Sequence, residues 1–433
     1  MLVAFRVGNY RSFHEPQTLC LLAGRDRSLP GNLIRRNEEN LLKVAAIYGA
    51  NASGKSNLVK AMGVMWYFVR NSATRMNVGD EIDVIVPFRL DADSRNQPSL
   101  FEIKLIVGGV FHQYGFTATR RRVHDEWLHA YPFGRRRRLF ERRFDPATGK
   151  TRWRLASDLK KVGDLLTERT RDNGLLLSRG AELNVEQLIP VFREITENVW
   201  VFDLSDDFTM YEMMQKTAAR FREDVSVRDY TTRLLQDADL GIEDIRVTEI
   251  PVRPTRLPKE TSEGFTDGQR EFVERSHIFR VETVHAVTGT AEKEVFNLLG
   301  AESNGTQKLF ALAGLWSDAL QSGKTVVLDE LDCSMHPLMT RGLIELFQDE
   351  ERNNTGAQLV LATHDSTLLS PTLFRRDQIW LLEKGADQAS ELYSLFDFDH
   401  KPRKNEAIEK GYLAGRYGGT PTLGATFEDV QFR

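Results

Sequence analysis

The sequence predicts an α/β fold in which a mixed, largely parallel sheet carries a phosphate-binding loop, with an antiparallel β-subdomain and a helical insertion added to it. Three observations carry that expectation. A short β-branched apolar run over 42–48 leads into Gly49-Ala50-Asn51-Ala52-Ser53-Gly54-Lys55-Ser56 and then into helical apolar spacing over 57–69. Residues 101–118, FEIKLIVGGVFHQYGFTA, alternate in polarity on both sides of Gly108-Gly109, a hairpin signature. From 305 onward apolar strands and amphipathic helices alternate, as in a doubly wound sheet.

In chain order, 2–7 and 17–23 read as hairpin strands, and strand texture returns over 82–118. Residues 158–200 look helical and end in a strand at 199–202. A helical stretch follows at 206–240, then a strand at 242–250 and a polar loop with three prolines at 251–268. The last third predicts a helix over 305–320, a strand over 325–328, a helix over 338–347 and strands over 358–362 and 378–383. The implied boundaries are 1–204 for an N-terminal lobe with the phosphate loop and the antiparallel β-subdomain, 205–295 for a mainly helical insertion, and 296–433 for a C-terminal lobe.

With 41% hydrophobic and 28% charged residues in 433, the chain has globular composition and length enough for a large core. No apolar run is long enough to cross a bilayer, and residues 1–13 alternate where an export signal would be basic and then apolar, so a cytoplasmic protein without a membrane partner is expected. Two cysteines, Cys20 and Cys333, are too few for a disulfide framework or a zinc cluster. A net charge of −4 predicts no bulk attraction to nucleic acid.

The 49–56 motif fits the phosphate-loop pattern at every fixed position. Its glycines let backbone N–H groups turn inward around phosphates, and the helix starting near Lys55 offers its positive dipole end. Lys55 would bridge the β- and γ-phosphates and Ser56 would place its hydroxyl on Mg²⁺. Gly49, Asn51, Ala52, Ser53, Gly54, Lys55, Ser56 and Asn57 are thus the candidate residues for binding ATP.

The apolar run Thr325-Val-Val-Leu-Asp329-Glu330 ends in adjacent carboxylates. Beside a phosphate loop, Asp329 is the metal-side acid and Glu330 the candidate general base. Two further pieces set the subclass. Ser303-Asn304-Gly305 is a small polar turn leading into a helix, 26 positions before Asp329, and Leu359-Val-Leu-Ala-Thr363-His364 is a strand ending in histidine, 35 positions after it.

That order of phosphate loop, Ser-x-Gly turn, acid strand and Thr-His resembles the ABC ATPase head in its soluble branch, with SMC, RecF-like and OLD-type proteins. Asn9-Tyr10-Arg11-Ser12-Phe13 looks like the N-terminal strand of that branch, with Arg11 a nucleotide contact. Pro87-Phe88-Arg89-Leu90, Glu126-Trp127-Leu128, Leu139-Phe140-Glu141-Arg142, Arg376-Asp377-Gln378-Ile379-Trp380 and Gly411-Tyr412-Leu413-x-Gly415-Arg416-Tyr417-Gly418 resemble the RloA-like ATP-binding proteins of abortive-infection and anti-phage systems. The resemblance implies a homodimer, or a higher oligomer built on it, whose ATP sites are shared. Ser303 and Gly305 would touch the γ-phosphate bound to the partner, His364 would contact that phosphate and the attacking water, and Asp332 would lie in the loop crossing the boundary. It also implies an effector partner, nuclease-like or TOPRIM-type, encoded nearby. The turn departs from the transporter consensus, which weakens a transporter analogy. The magnesium-sensing glutamine has only Gln113 and Gln187 as candidates.

Between 120 and 154 stand twelve basic residues against four acids, with Trp127, Tyr131, Phe133, Phe140, Phe144 and Trp153 interleaved. The stretch suits a nucleic-acid backbone, a hairpin facing an acidic partner protein, or a solvated sheet face with aromatics on its core side. A RecF-type DNA-binding ATPase is the alternative to an effector-controlling one, and a nucleotide-gated scaffold the third reading. His336 near Glu330 and Asp332 lacks further ligands at metal spacing.

Overall fold

The computed structural model describes residues 1–36, 39–238, 240–250, 278–398 and 407–421, so the loop expected at 251–268 lies outside the described residues. The chain divides into two compact units, Met1–Phe202 with Gly323–Asp329 and Ile344–Arg433, and Asp203–Ser322 with Glu330–Leu343.

The first unit begins with β1 (Leu2–Gly8), paired antiparallel with β2 (Gln17–Cys20) as the alternation predicts. The strand character that the resemblance puts on 9–13 is absent. β1 stops at Gly8 because Asn9 and Arg11 take φ of 45° and 49°, and the chain closes a Tyr10–Phe13 bridge. A two-strand clip, β3 (Leu33–Ile34) and β4 (Leu41–Leu42), precedes β5 (Val44–Gly49), in which every residue is buried. The phosphate-loop motif then leads into α1 (Lys55–Asn71), whose buried Leu58, Met62, Met65 and Phe68 join the main core.

Strand pairing resumes at β6 (Ser99–Val107), not at 82. Residues before it are held in turns: the Asp91 carboxylate accepts from the Ser94 N–H at 2.8 Å, and Asn9 Nδ2 donates to the carbonyls of Ser94 and Gln97. β6 and β7 (Val110–Ala118) flank Gly108-Gly109 as expected, and β8 (Val123–Tyr131), β9 (Arg137–Asp145) and β10 (Lys150–Leu155) extend an antiparallel sheet of order β10-β9-β8-β7-β6-β1-β2. Helices α2 (Gly163–Arg169), α3 (Leu176–Glu182) and α4 (Ile189–Glu197) lead to β11 (Val199–Asp203).

The second unit carries α5 (Asp207–Glu223) and α6 (Val225–Asp237), started by Asp206 and Asp224, whose carboxylates accept from the N–H groups of Thr209 and Ser226. An antiparallel sheet of β12 (Ile242–Ile250), β13 (Ile278–Ala286) and β14 (Lys293–Asn297) follows, and then α7 (Asn304–Ser322), against which Thr217 of α5 donates to the Ala311 carbonyl at 2.9 Å.

The chain closes with β15 (Thr325–Asp329), α8 (Pro337–Gln348), β16 (Gln358–Ala362), β17 (Ile379–Lys384), β18 (Ser390–Ser394) and the short α9 (Ile408–Leu413). These strands build the central sheet of the first unit, order β11-β15-β16-β5-β17-β18. β15, β16, β5 and β17 run parallel and β18 is antiparallel to β17. The fold is the mixed α/β architecture that the sequence predicts. Continuous apolar runs in β5, β15 and β16, all fully buried, are what a parallel sheet covered on both faces requires.

Candidate functional site

Register brings the motif ends together. Asp329 pairs with Ala362, and Ala362 pairs with Ile47, so three adjacent parallel strands reach the same level. Gly49 and the phosphate loop therefore leave from the same carboxyl edge as Asp329 and as Thr363-His364. With β16 between them, the backbones of β5 and β15 stand about 10 Å apart. Ligands of open parallel sheets bind outside that edge.

The loop turns tightly into α1. Gly54 caps α1 at φ 117°, and no side chain caps the first-turn N–H groups of the helix. A Cβ at Gly54 would lie 2.4 Å from Ser390 Oγ and 2.8 Å from Ser12 Oγ, so only glycine fits. Lys55 is buried, and its Nζ donates to the carbonyls of Gly49 at 2.7 Å and Ala50 at 3.2 Å. Its charge is thus held inside the loop by partners that a phosphate can replace. Asn51 and Ala52 are exposed at the loop tip, Ala52 with φ 64°, while Ser53 is buried and Ser56 and Asn57 half-buried.

Two serines that sequence reasoning missed pin this loop. Ser390 Oγ donates to the Ser53 carbonyl at 2.5 Å, and the Ser390 N–H donates to the Ser12 carbonyl at 2.7 Å. Asn57 Nδ2 donates to Ser12 Oγ at 2.9 Å. Ser12 lies beside Arg11, whose Nε donates to Tyr10 Oη at 3.0 Å, so the expected nucleotide contact is folded back on its neighbour's ring.

Asp329 is buried at 4% exposure, while His364 is exposed just past β16, where Thr363 Oγ1 accepts from the Asp365 N–H at 3.0 Å. Among the described residues no three His, Cys, Asp or Glu side chains gather as a metal cage. Ser56 and Asp329 offer a hydroxyl and a carboxylate, the hard oxygen donors that suit a nucleotide's Mg²⁺, an ion that usually takes only one or two protein ligands.

In the second unit, Ser303 starts α7 as its N-cap, Oγ accepting from the Thr306 N–H at 3.1 Å. Ser303 and Asn304 are exposed, so the helix start faces outward. Gly305 lies flush against the loop after β15, where a Cβ would sit 2.5 Å from the Ser334 carbonyl. Lys308 Nζ donates to the carbonyls of Glu330 at 2.6 Å and Cys333 at 3.0 Å. Glu330 and Ser334 take φ of 59° and 63°, a local strain that this anchoring holds. Burial lowers the Lys308 ammonium below the usual lysine range, against the upward pull of Asp332 and Glu330.

Comparison with protein families matches residues 44–370 to the family described as "AAA domain, putative AbiEii toxin, Type IV TA system". The chain belongs to that family. Among curated proteins none matches. Among solved structures, this AAA-domain chain is similar to the SMC head domain from Thermotoga maritima, at 12% identity and TM-score 0.38 over 91% of this chain and 98% of that one. It is also similar to the SMC head domain with an extended coiled coil, bound to the C-terminal domain of ScpA, from Pyrococcus furiosus, at 13% identity and TM-score 0.43 over 91% and 96%. A third is the recombination mediator protein RecF with ATP, at 11% and 0.33 over 85% and 94%.

The basic residues of this AAA-domain protein lie just before β8, just before and within β9, and in β10, and the arginines mostly face acids of the same chain. Arg120 pairs with Glu81 and Asp83, Arg122 with Asp172, Arg136 and Arg138 with Glu141, Arg137 with Asp158, Arg143 with Asp125, and Arg152 with Asp145. Arg142 is a core residue at 2% exposure, near Glu126 at 4.0 Å and donating to the Gly174 carbonyl at 2.7 Å. These pairings fit the reading of a solvated sheet face. Gln113 is tied into the same sheet, donating to Glu102 and accepting from Tyr131 Oη, while Gln187 is exposed. Among the described residues no helix is long and apolar enough to cross a membrane.

Proposed function

We propose that the chain is an Mg²⁺-dependent ATPase of the ABC type, in which two copies close head to tail on shared nucleotides and so control an effector partner in defence against phage. The observation that carries this reading is the common edge: the phosphate loop, Asp329 and Thr363-His364 leave three neighbouring parallel strands at one level.

Lys55 would exchange its loop carbonyls for the β- and γ-phosphates, and the uncapped start of α1 would direct N–H groups at them. Bound Mg²⁺, held by Ser56 and Asp329, would neutralise charge developing on the phosphoryl oxygens. Glu330 would accept the proton of the attacking water, and His364 would hold that water in line. Ser303 and Gly305 of the other copy, at an outward-facing helix start, would complete the γ-phosphate cage. Asp332 and Arg11 are assigned to the boundary loop and to the nucleotide. Closure then follows from the extra affinity of ATP for the closed dimer, and hydrolysis removes it.

The family description, "AAA domain, putative AbiEii toxin, Type IV TA system", supports the defence setting. Phosphate release by purified protein with ATP and Mg²⁺ tests the reading: turnover lost in both Lys55→Ala and Glu330→Gln supports it, and parental turnover in Glu330→Gln overturns the assignment of the base. Turnover that depends on added DNA would move the protein to the RecF-like class.

A further inference from the structure

The C-terminal motif around Tyr412 has no part in the scheme above, yet the structure places it against the phosphate loop. Tyr412 is 8% exposed and Tyr417 1%. Tyr412 Oη donates to the Gly419 carbonyl at 3.1 Å, and Gly419 lies against the phosphate loop, where a Cβ added to it would sit 3.7 Å from the Gly49 Cα. The Tyr412 ring packs edge-on against Tyr48, with centroids 5.9 Å apart. The far end of the segment is fastened independently: the Gly419 N–H donates to Glu383 at 3.1 Å, and Tyr393 Oη donates to the Tyr417 carbonyl at 2.9 Å.

Gly49 is the first residue of the phosphate loop, and its carbonyl is the closer of the two that hold Lys55 Nζ. Tyr412 thus braces, through Gly419, the peptide whose carbonyl parks the phosphate-binding lysine. We propose that Tyr412 is a positioning residue of the nucleotide site, and that segment 407–421 is a built-in wall of the phosphate loop which sets its affinity for ATP.

This inference rests on the phosphate loop binding ATP, and the test separates the two. ATP affinity is measured by calorimetry on full-length protein with Mg²⁺, for the parental chain, Lys55→Ala, Tyr412→Phe and Tyr393→Phe, alongside thermal midpoints. Tyr412→Phe keeps the ring against Tyr48 and removes only the hydroxyl, so its dissociation constant is expected to rise roughly three- to tenfold with little change in midpoint. Tyr393→Phe removes a comparable bond to the tail at Tyr417, away from the contact of Gly419 with Gly49, and is expected to bind as the parent does. A parental chain that fails to bind ATP would overturn the phosphate-loop reading itself. Binding by the parent with parental affinity in Tyr412→Phe, or equal losses in both tyrosine variants, would overturn the positioning role.

Discussion

Lys308 Nζ sits 2.6 Å from the carbonyl oxygen of Glu330, so the helix that begins at Ser303 grips the backbone of the proposed base through a buried ammonium. The same nitrogen reaches the Cys333 carbonyl, and Gly305 abuts Ser334. The Ser-x-Gly turn and the 330–334 loop therefore form one piece.

Replacing Lys308 with Met keeps the stem and removes the donors. Two carbonyls then lose a charged partner, at a cost of about 1–3 kcal/mol each if they stay buried. The strained Glu330 backbone is freed, and turnover is expected to fall roughly tenfold or more while ATP affinity stays near parental. Steady-state phosphate release and equilibrium ATP binding on the same preparation check the split.

At Gly54 a methyl group has no room beside Ser390 and Ser12, and φ 117° disfavours any L side chain. Gly54→Ala is expected to abolish ATP binding with only a small loss of stability, since the strain falls on one loop. Calorimetric titration with ATP and a thermal melt distinguish this from unfolding.

Asp26 supplies a pH dependence. Burial alone would raise its carboxyl, but Arg376 at 2.7 Å and the Ser28 N–H at 2.9 Å outweigh it and hold the pKa well below the ordinary carboxylate value of 3.8. A folded pKa below the unfolded one contributes stability that is fully present above pH 4 and is lost as pH falls through the folded value. Asp26→Asn should cost about 1–3 kcal/mol at pH 7 and progressively less below pH 4, as read from urea unfolding at both ends.

The pair Glu126 and Arg142 lies inside the antiparallel sheet, where burial raises the Glu126 carboxyl despite Arg142 and the N–H groups of Leu176 and Leu177. Arg142→Met leaves that carboxylate without its charge partner and is expected to cost about 3–5 kcal/mol. Exposed Arg135→Met is expected to change stability by less than about 0.5 kcal/mol. Chemical denaturation of the two variants checks the contrast.

The strands and helices of the central sheet were readable because buried parallel strands are unbroken apolar runs and the phosphate loop has fixed spacing. The β12 strand matched residue for residue at 242–250. The turn at Asn9 was not readable, since its left-handed backbone depends on partners at Ser94 and Gln97. Ser390 holds Ser53 across a separation of 337 residues, and Lys308 reaches Glu330 over 22. No local pattern marks either one. The arginines of 120–154 left three readings open in the sequence because four of their partners, Glu81, Asp83, Asp158 and Asp172, stand outside the stretch.

The proposal that each ATP is held by two copies is tested most directly by mixing inactive variants. Lys55→Ala destroys the phosphate loop and Ser303→Arg obstructs the opposing turn, so each homodimer should be silent. A mixed dimer has one site made of an intact loop and an intact turn, and should recover a substantial part of parental ATP hydrolysis. Silence from the mixture, with mixed dimers demonstrated in the sample, would contradict a site shared between protomers.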